Sequence, residues 1–159
     1  MKIGVISDTH MQHADEALIR TAKTVFGEVQ MVLHAGDLTR LAVLDAFWDK
    51  EVVAVCGNMD RFDVANRLKD REVIEVGGFR IGLTHGWGSG KGLEERVRTR
   101  FDRVDVIVYG HSHLPTNHIQ EGILMFNPGA YSGSLFFRSG RSVGILELGE
   151  GVTGKIIPL

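Results

Sequence analysis

Short apolar runs alternate with stretches of helical periodicity over the first two thirds of the chain. Residues 2–6 (KIGVI), 30–35 (QMVLHA), 51–56 (EVVAVC), 79–85 (FRIGLTH) and 104–110 (VDVIVYG) have the length and β-branched content of buried strands. Between them Leu18, Ile19, Ala22, Val25 and Phe26 fall on one helical face, with Gly27 as the stop. Leu41, Leu44 and Trp48 repeat that spacing behind Thr39 as an N-cap, and Leu93, Val97 and Phe101 repeat it again. The second half changes character. Residues 72–85 read as a hairpin turning at Gly77-Gly78, and residues 142–159 as a further pair of strands around glycines. Alternation followed by hairpins predicts an α/β fold with a mixed sheet, or two packed sheets, covered by helices. No repeat, linker or low-complexity tract divides the pattern, so one domain over residues 1–159 is expected.

The polar residues gather where the predicted strands end, which is where open α/β sheets collect functional groups. Asp8 and His10 follow the first strand, Asp37 the second and Asn58 the third. His85 follows the FRIGLTH strand, and His111 and His113 follow VDVIVYG. All seven are carboxylate, amide or imidazole, the donors that first-row transition metals accept. Glycines at 36, 57, 86 and 110 permit close backbone approach beside them. Singly, each piece also reads as a turn or a core histidine. Two imidazoles one residue apart on an extended segment clasp one centre or two adjacent ones, and the conjunction of all seven exceeds what turns require.

Composition narrows the function classes. A formal charge of -2 gives no field to draw a polyanion and argues against nucleic acid as a partner. The single cysteine, Cys56, excludes an internal disulfide and fits a reducing, cytoplasmic compartment; its apolar flanks read as a buried structural thiol. Neither a basic leader nor a long apolar span is visible, so no membrane partner is expected. A homo-oligomer remains open.

The ordered set D-x-H, G-D, G-N-x-D, a lone histidine in THG, and G-H-S-H resembles the calcineurin-like metallophosphoesterases, and SDTH, LTHG and NPGA look most like their small phosphodiesterase branch. The resemblance spans residues 3 to about 131 and implies two packed, mostly mixed β-sheets flanked by helices, with two metals at the strand ends. Carried over, it implies that Asp8, His10 and His113 hold one ion, Asn58, His85 and His111 the other, and that Asp37 bridges both. Asp37, Asn58 and His10 would carry the chemistry. The implied activity is hydrolysis of small phosphodiesters by a hydroxide that two divalent ions activate, manganese first and nickel, iron or zinc otherwise. A nuclease acting on single strands is the alternative that the same chemistry permits. A catalytically silent scaffold is another, because the small cargo-binding subunit of the retromer complex shares the fold.

One position departs from the pattern. Many relatives carry histidine after G-N, where this chain has Met59, and a thioether donates no proton. Asp60 reads as an acceptor for a ligand imidazole or as a turn residue. His34 reads as a core histidine, His13 and His118 as surface ones. Residues 86–92 (GWGSGKG) are not a phosphate loop, because position 85 is histidine where the motif needs glycine; they read as a rim loop. Arg96, Arg98, Arg100 and Arg103 share their segment with Glu94, Glu95 and Asp102 and read as a solvated face. NPGA, residues 127–130, reads equally as a border of the site or as a turn.

Overall fold

The computed structural model describes residues 1–133 and 140–159. Ten strands form two five-stranded sheets. The first has the order β10-β9-β1-β2-β3, built from β1 (Lys2–Ile6), β2 (Met31–His34), β3 (Glu51–Ala54), β9 (Ser142–Leu148) and β10 (Val152–Pro158). The second has the order β4-β5-β6-β8-β7, from β4 (Arg71–Val76), β5 (Phe79–Thr84), β6 (Val106–Val108), β7 (Thr116–Gln120) and β8 (Ile123–Asn127). Strands β1, β2 and β3 run parallel, as do β5, β6 and β8, while β9, β10, β4 and β7 pair antiparallel. The sheets are therefore mixed, as the sequence predicts.

Alternation along the strands explains the continuous apolar runs. Ile3, Val5 and Leu33 of the first sheet meet Ile81, Leu83, Val106, Val108 and Phe126 of the second in one core. The opposite face of the first sheet, through Ile6 and Val32, packs on Leu18, Ala22 and Phe26 of the segment between β1 and β2 and on Val43 and Phe47. Ile107, Tyr109 and Met125 face Leu93, Val97 and Phe101 on the outside of the second sheet. Strands covered on both faces need no polar side, so polar residues appear only at their ends. The Phe126 ring lies against Gly144 and Gly154 of the other sheet, where a Cβ at either glycine would stand 2.5 Å from it. The two sheets thus approach at a point that glycine alone permits.

Helix α1 (Glu16–Thr24) begins at Asp15, whose side chain accepts the Leu18 amide at 2.7 Å. Residues Leu41–Phe47 form a 3-10 helix rather than an α-helix, and Arg40 precedes it with no side-chain cap. Thr39, expected as the cap, instead has φ +75 and gives its amide to Asp60. A one-turn helix α2 (Phe62–Ala65) and α3 (Leu93–Arg98) complete the helices among the described residues. The β7–β8 hairpin escapes sequence reasoning because β7 is an edge strand whose three central residues are exposed, so it shows no apolar alternation. It turns at Glu121-Gly122, both with positive φ, as a tight hairpin requires. No helix among the described residues is long and apolar enough to cross a membrane.

His34 closes β2 with no solvent exposure. The Gly36 amide donates to its Nδ1 at 3.2 Å, so the ring proton sits on Nε2 and points to Thr9 Oγ1, also at 3.2 Å. Burial pushes its pKa down to about 4, against the pull of Asp8. The folded ring therefore resists a proton that the unfolded ring accepts near pH 6.5. Stability from this residue is full above that pH and is lost as pH falls toward 4, by about 3 kcal/mol for the metal-stripped protein. Urea unfolding at pH 7 and pH 4 measures it: the pH-dependent loss should be distinctly smaller in His34→Gln than in the parent.

Candidate metal centre

The parallel ladder between β1 and β2 does not stop where the strands do. Beyond it the Ala35 amide reaches Ile6 O, Asp8 reaches Gly36 O, His10 reaches Asp37 O and Met11 reaches Leu38 O, at 2.8 to 3.2 Å. The two loops run on side by side, which brings Asp8 and Asp37 together. In the second sheet the Gly110 amide likewise donates to His85 O at 3.1 Å, aligning the loops after β5 and β6. All four loops leave the same end of the sandwich.

The backbone itself marks the place. Asp8, His10, Asp37, His111 and His113 all have positive φ, between 51° and 69°. Each such residue costs about 1–2 kcal/mol when it is not glycine, and strain of this kind collects at functional sites. Side chains thrown out of strand alternation in this way converge instead of diverging.

Two groups of ligand atoms result, Asp8 with His10 and His113, and Asp8 with Asp37 and His85. His113 Nε2 stands 3.1 Å from Asp8 Oδ1, and His10 Nε2 lies 3.8 Å from the same oxygen and 3.9 Å from Asp37 Oδ2. His85 Nε2 is 3.2 Å from Asp37 Oδ2 and 4.0 Å from Asp8 Oδ1. His85 donates Nδ1–H to Ala35 O at 2.7 Å, so its neutral ring turns a bare Nε2 to the carboxylates. Asp8 belongs to both groups, and Asp37 of the second approaches His10 of the first at 3.9 Å. Asn58 and His111 form the far edge, with His111 Nδ1 at 2.9 Å from Asn58 Oδ1 and its Nε2 at 2.6 Å from Gly88 O.

Charge follows burial. Asp8, Asp37 and His85 are almost dry, while His10 and His113 keep about a quarter of their side chains exposed. Burial opposes ionisation of Asp37, but His85 and the Met59 amide outweigh it and hold its pKa low. Burial also opposes the charged form of His85, and Asp37 and Asp8 together raise it nonetheless. The Asp8 carboxylate, 3.1 Å away, raises His113. Asp8 Oδ1 and His85 Nε2 remain sealed from solvent without a hydrogen bond of acceptable geometry.

Several braces were not legible in the sequence or were read differently. Asp60 accepts no imidazole; it takes the amides of Gly57, Asp37 and Thr39 at 2.7, 3.1 and 2.5 Å. It thereby pins the Asn58 loop to the Asp37 loop. Asn127 of NPGA donates to Gly110 O at 2.9 Å and Ser112 Oγ at 3.1 Å and accepts the Gly129 amide, so it borders the site by holding the GHSH turn. Ser7 donates to Asp8 Oδ2 at 2.5 Å. Cys56 is half-buried rather than buried, and desolvation raises its thiol pKa. His13 and His118 are exposed as expected, the latter 3.3 Å from Glu94. Arg96 and Arg100 do not form a merely solvated face: Arg100 pairs with Asp70 and lies over Trp87, and Arg96 folds back on the 86–92 loop.

The sequence matches the calcineurin-like phosphoesterase superfamily domain over residues 1–151. A probable metallophosphoesterase of Methanothermobacter thermautotrophicus is 35% identical over 132 residues, 82% of this chain and 77% of that protein. A novel archaeal phosphodiesterase of known structure superposes with a TM-score of 0.77 at 28% identity, covering 100% of each chain. Vps29 of Entamoeba histolytica complexed with zinc gives 0.75 at 26% identity, over 99% of each chain.

Glycine packing gives a direct test of the geometry. A Cβ at Gly110 would meet Ser7 Oγ at 1.9 Å and Asp8 Oδ2 at 2.8 Å, whereas one at Gly90 meets nothing within 4 Å. Gly110→Ala should therefore lose about 1–3 kcal/mol of unfolding free energy, and Gly90→Ala should stay within about 0.5 kcal/mol of the parent. Denaturant melts of both variants measure the difference, and equal stabilities would contradict the close approach at Gly110.

Proposed function

The chain belongs to the calcineurin-like phosphoesterase superfamily, and from that premise we propose that it is a metal-dependent phosphodiesterase of small diesters with a two-metal centre. Asp8, His10 and His113 would hold one ion, Asn58, His85 and His111 the other, and Asp37 would bridge them. The observation that carries this reading is the convergence of Asp8, Asp37, His10, His85 and His113 on one another's ligand atoms, with the dry Asp8 Oδ1 and His85 Nε2 4.0 Å apart. Two carboxylates crowded in a dry pocket are costly to hold unless cations neutralise them. Four imidazoles, two carboxylates and an amide suit manganese, nickel, iron or zinc better than calcium, with manganese our first choice.

Divalent ions bound there would polarise the phosphoryl oxygens and make a water acidic enough to act at neutral pH. The chain's own residues do the rest. Asp8 and Asp37 supply the negative charge that keeps two cations together, and Asp37 is aligned for this by the Met59 amide at 2.7 Å. His10 and Asn58 lie at the more open side of the site, where they would face the phosphoryl group. With all seven side chains engaged as ligands, none is left as a nucleophile, so water would attack directly and no covalent enzyme intermediate would form. Met59, 60% exposed next to Asn58, offers the departing oxygen no proton. With a formal charge of -2, the protein is suited to small diesters over nucleic acid strands.

The likeness to Vps29 favours a second reading, a silent scaffold. Because that Vps29 is itself complexed with zinc, hydrolysis separates the two readings and metal content alone does not.

Metal-stripped protein should rebind close to two transition ions per chain in a calorimetric titration, and failure to bind any of the four would sink the centre. Asp37→Asn should lower kcat/KM for an aryl phosphodiester by about 10²-fold or more, while His118→Ala should leave it nearly unchanged. Equal losses would refute the assignment.

Leaving groups test Met59. Across substituted phenyl and alkyl phosphodiesters at saturating metal, kcat/KM should fall steeply as leaving-group pKa rises. Met59→His should rescue mainly the slow alkyl esters, within the range of about 10²–10⁴ that a positioned acid contributes. A shallow slope in the parent enzyme would mean that another residue already serves as the acid.

A further inference from the structure

His85 and His111 are both steadied by a main-chain carbonyl, but the two carbonyls are held very differently. Ala35 O, which receives His85, belongs to the loop ladder that continues β1 and β2. Gly88 O, which receives His111, lies in a loop where Gly86, Gly88 and Gly92 all have positive φ, so the backbone there has little preference of its own. What fixes this loop is Arg96. From the last turn of α3 its Nε donates to Trp87 O at 3.0 Å, one terminal nitrogen donates to Lys91 O at 2.9 Å, and the other donates to Ser89 O. A planar guanidinium with diverging donors can hold three carbonyls of one loop in a single arrangement. It encloses Gly88 on both sides.

We infer that Arg96 is a positioning residue for the centre: by clamping residues 87–91 it holds Gly88 O against His111 and so selects the His111 tautomer. The main-chain carbonyl only accepts, whereas the Asn58 amide can turn its NH2 toward the ring, so a fixed Gly88 O places the neutral ring's proton on Nε2 and leaves Nδ1 bare on the Asn58 side, 2.9 Å from its Oδ1. Two acceptors at that spacing form one edge of a metal site. The consequence for metal affinity rests on the two-metal reading; the consequence for the tautomer does not. Arg98, two residues on, reaches Glu121 at 3.7 Å and is the natural control.

The test uses full-length protein with ¹⁵N-labelled histidine. In the metal-stripped parent, nitrogen-proton correlation spectra should give His111 as a single Nε2–H tautomer. In Arg96→Ala they should give a mixture of both tautomers, with Arg96→Lys between and Arg98→Ala like the parent. Zinc calorimetry on the same proteins should weaken the second site by about 10–100-fold in Arg96→Ala and leave the first unchanged. A single Nε2–H tautomer in Arg96→Ala together with second-site affinity within about twofold of the parent overturns the inference. A parent that binds no zinc defeats the metal reading, while the tautomer comparison still decides the clamp. Should Arg96→Ala fail to fold, Arg96→Lys decides by the same two measurements.

Discussion

Two carboxylates, Asp8 and Asp37, face one another with almost no water, and much of the surrounding architecture answers to that crowding. Like charges in a dry pocket are costly to hold, and they stay only where geometry leaves them no alternative. Here the geometry comes from the β1–β2 ladder, whose hydrogen bonds continue past the strands as far as Met11 and Leu38. Because the strands are parallel, both chains exit at the same end and their loops stay in register. An antiparallel pair would have sent the two aspartates to opposite ends. His10 comes with the β1 loop, and His85, His111 and His113 enter from the second sheet, where β5 and β6 repeat the same parallel exit.

Strain is the second cost, and it falls on the same residues. Five of the seven candidate ligands lie in the left-handed region, a liability of several kcal/mol at about 1–2 kcal/mol each. Nothing local offsets it. The compensation comes from the doubly covered strands behind the loops, and from side chains such as Asp60 and Asn127 whose role is to hold loop backbone. Stability and function are thereby divided between sheet interior and sheet end.

That division also explains what could be read from the chain. The seven ligand-type residues were legible because they interrupt apolar runs at strand ends, and the sheets were legible because burial on both faces leaves long uniform stretches. The β7–β8 hairpin was not, since an exposed edge strand such as Thr116–Gln120 carries no apolar period. The roles of Asp60 and Asn127 were not either. An aspartate that gathers three amides from two loops looks, in sequence, like any turn aspartate. The 3-10 geometry of Leu41–Phe47 shares its apolar spacing with an α-helix, and only the capture of the Thr39 amide by Asp60 distinguishes the entry.

The two sides of the centre differ in how firmly they are held. Asp8, His10, Asp37 and His85 depend on ladders of main-chain hydrogen bonds that cannot shift without unpairing strands. Asn58 and His111 depend on a glycine-rich loop and on single side chains, Asp60 on one flank and Arg96 on the other. Main-chain ladders are open to any sequence that pairs these strands, whereas a side-chain clamp needs one particular residue. A fold can therefore keep one half of such a centre while the other half is tuned or lost, and the far edge is where chains of the same architecture have the freedom to diverge in activity.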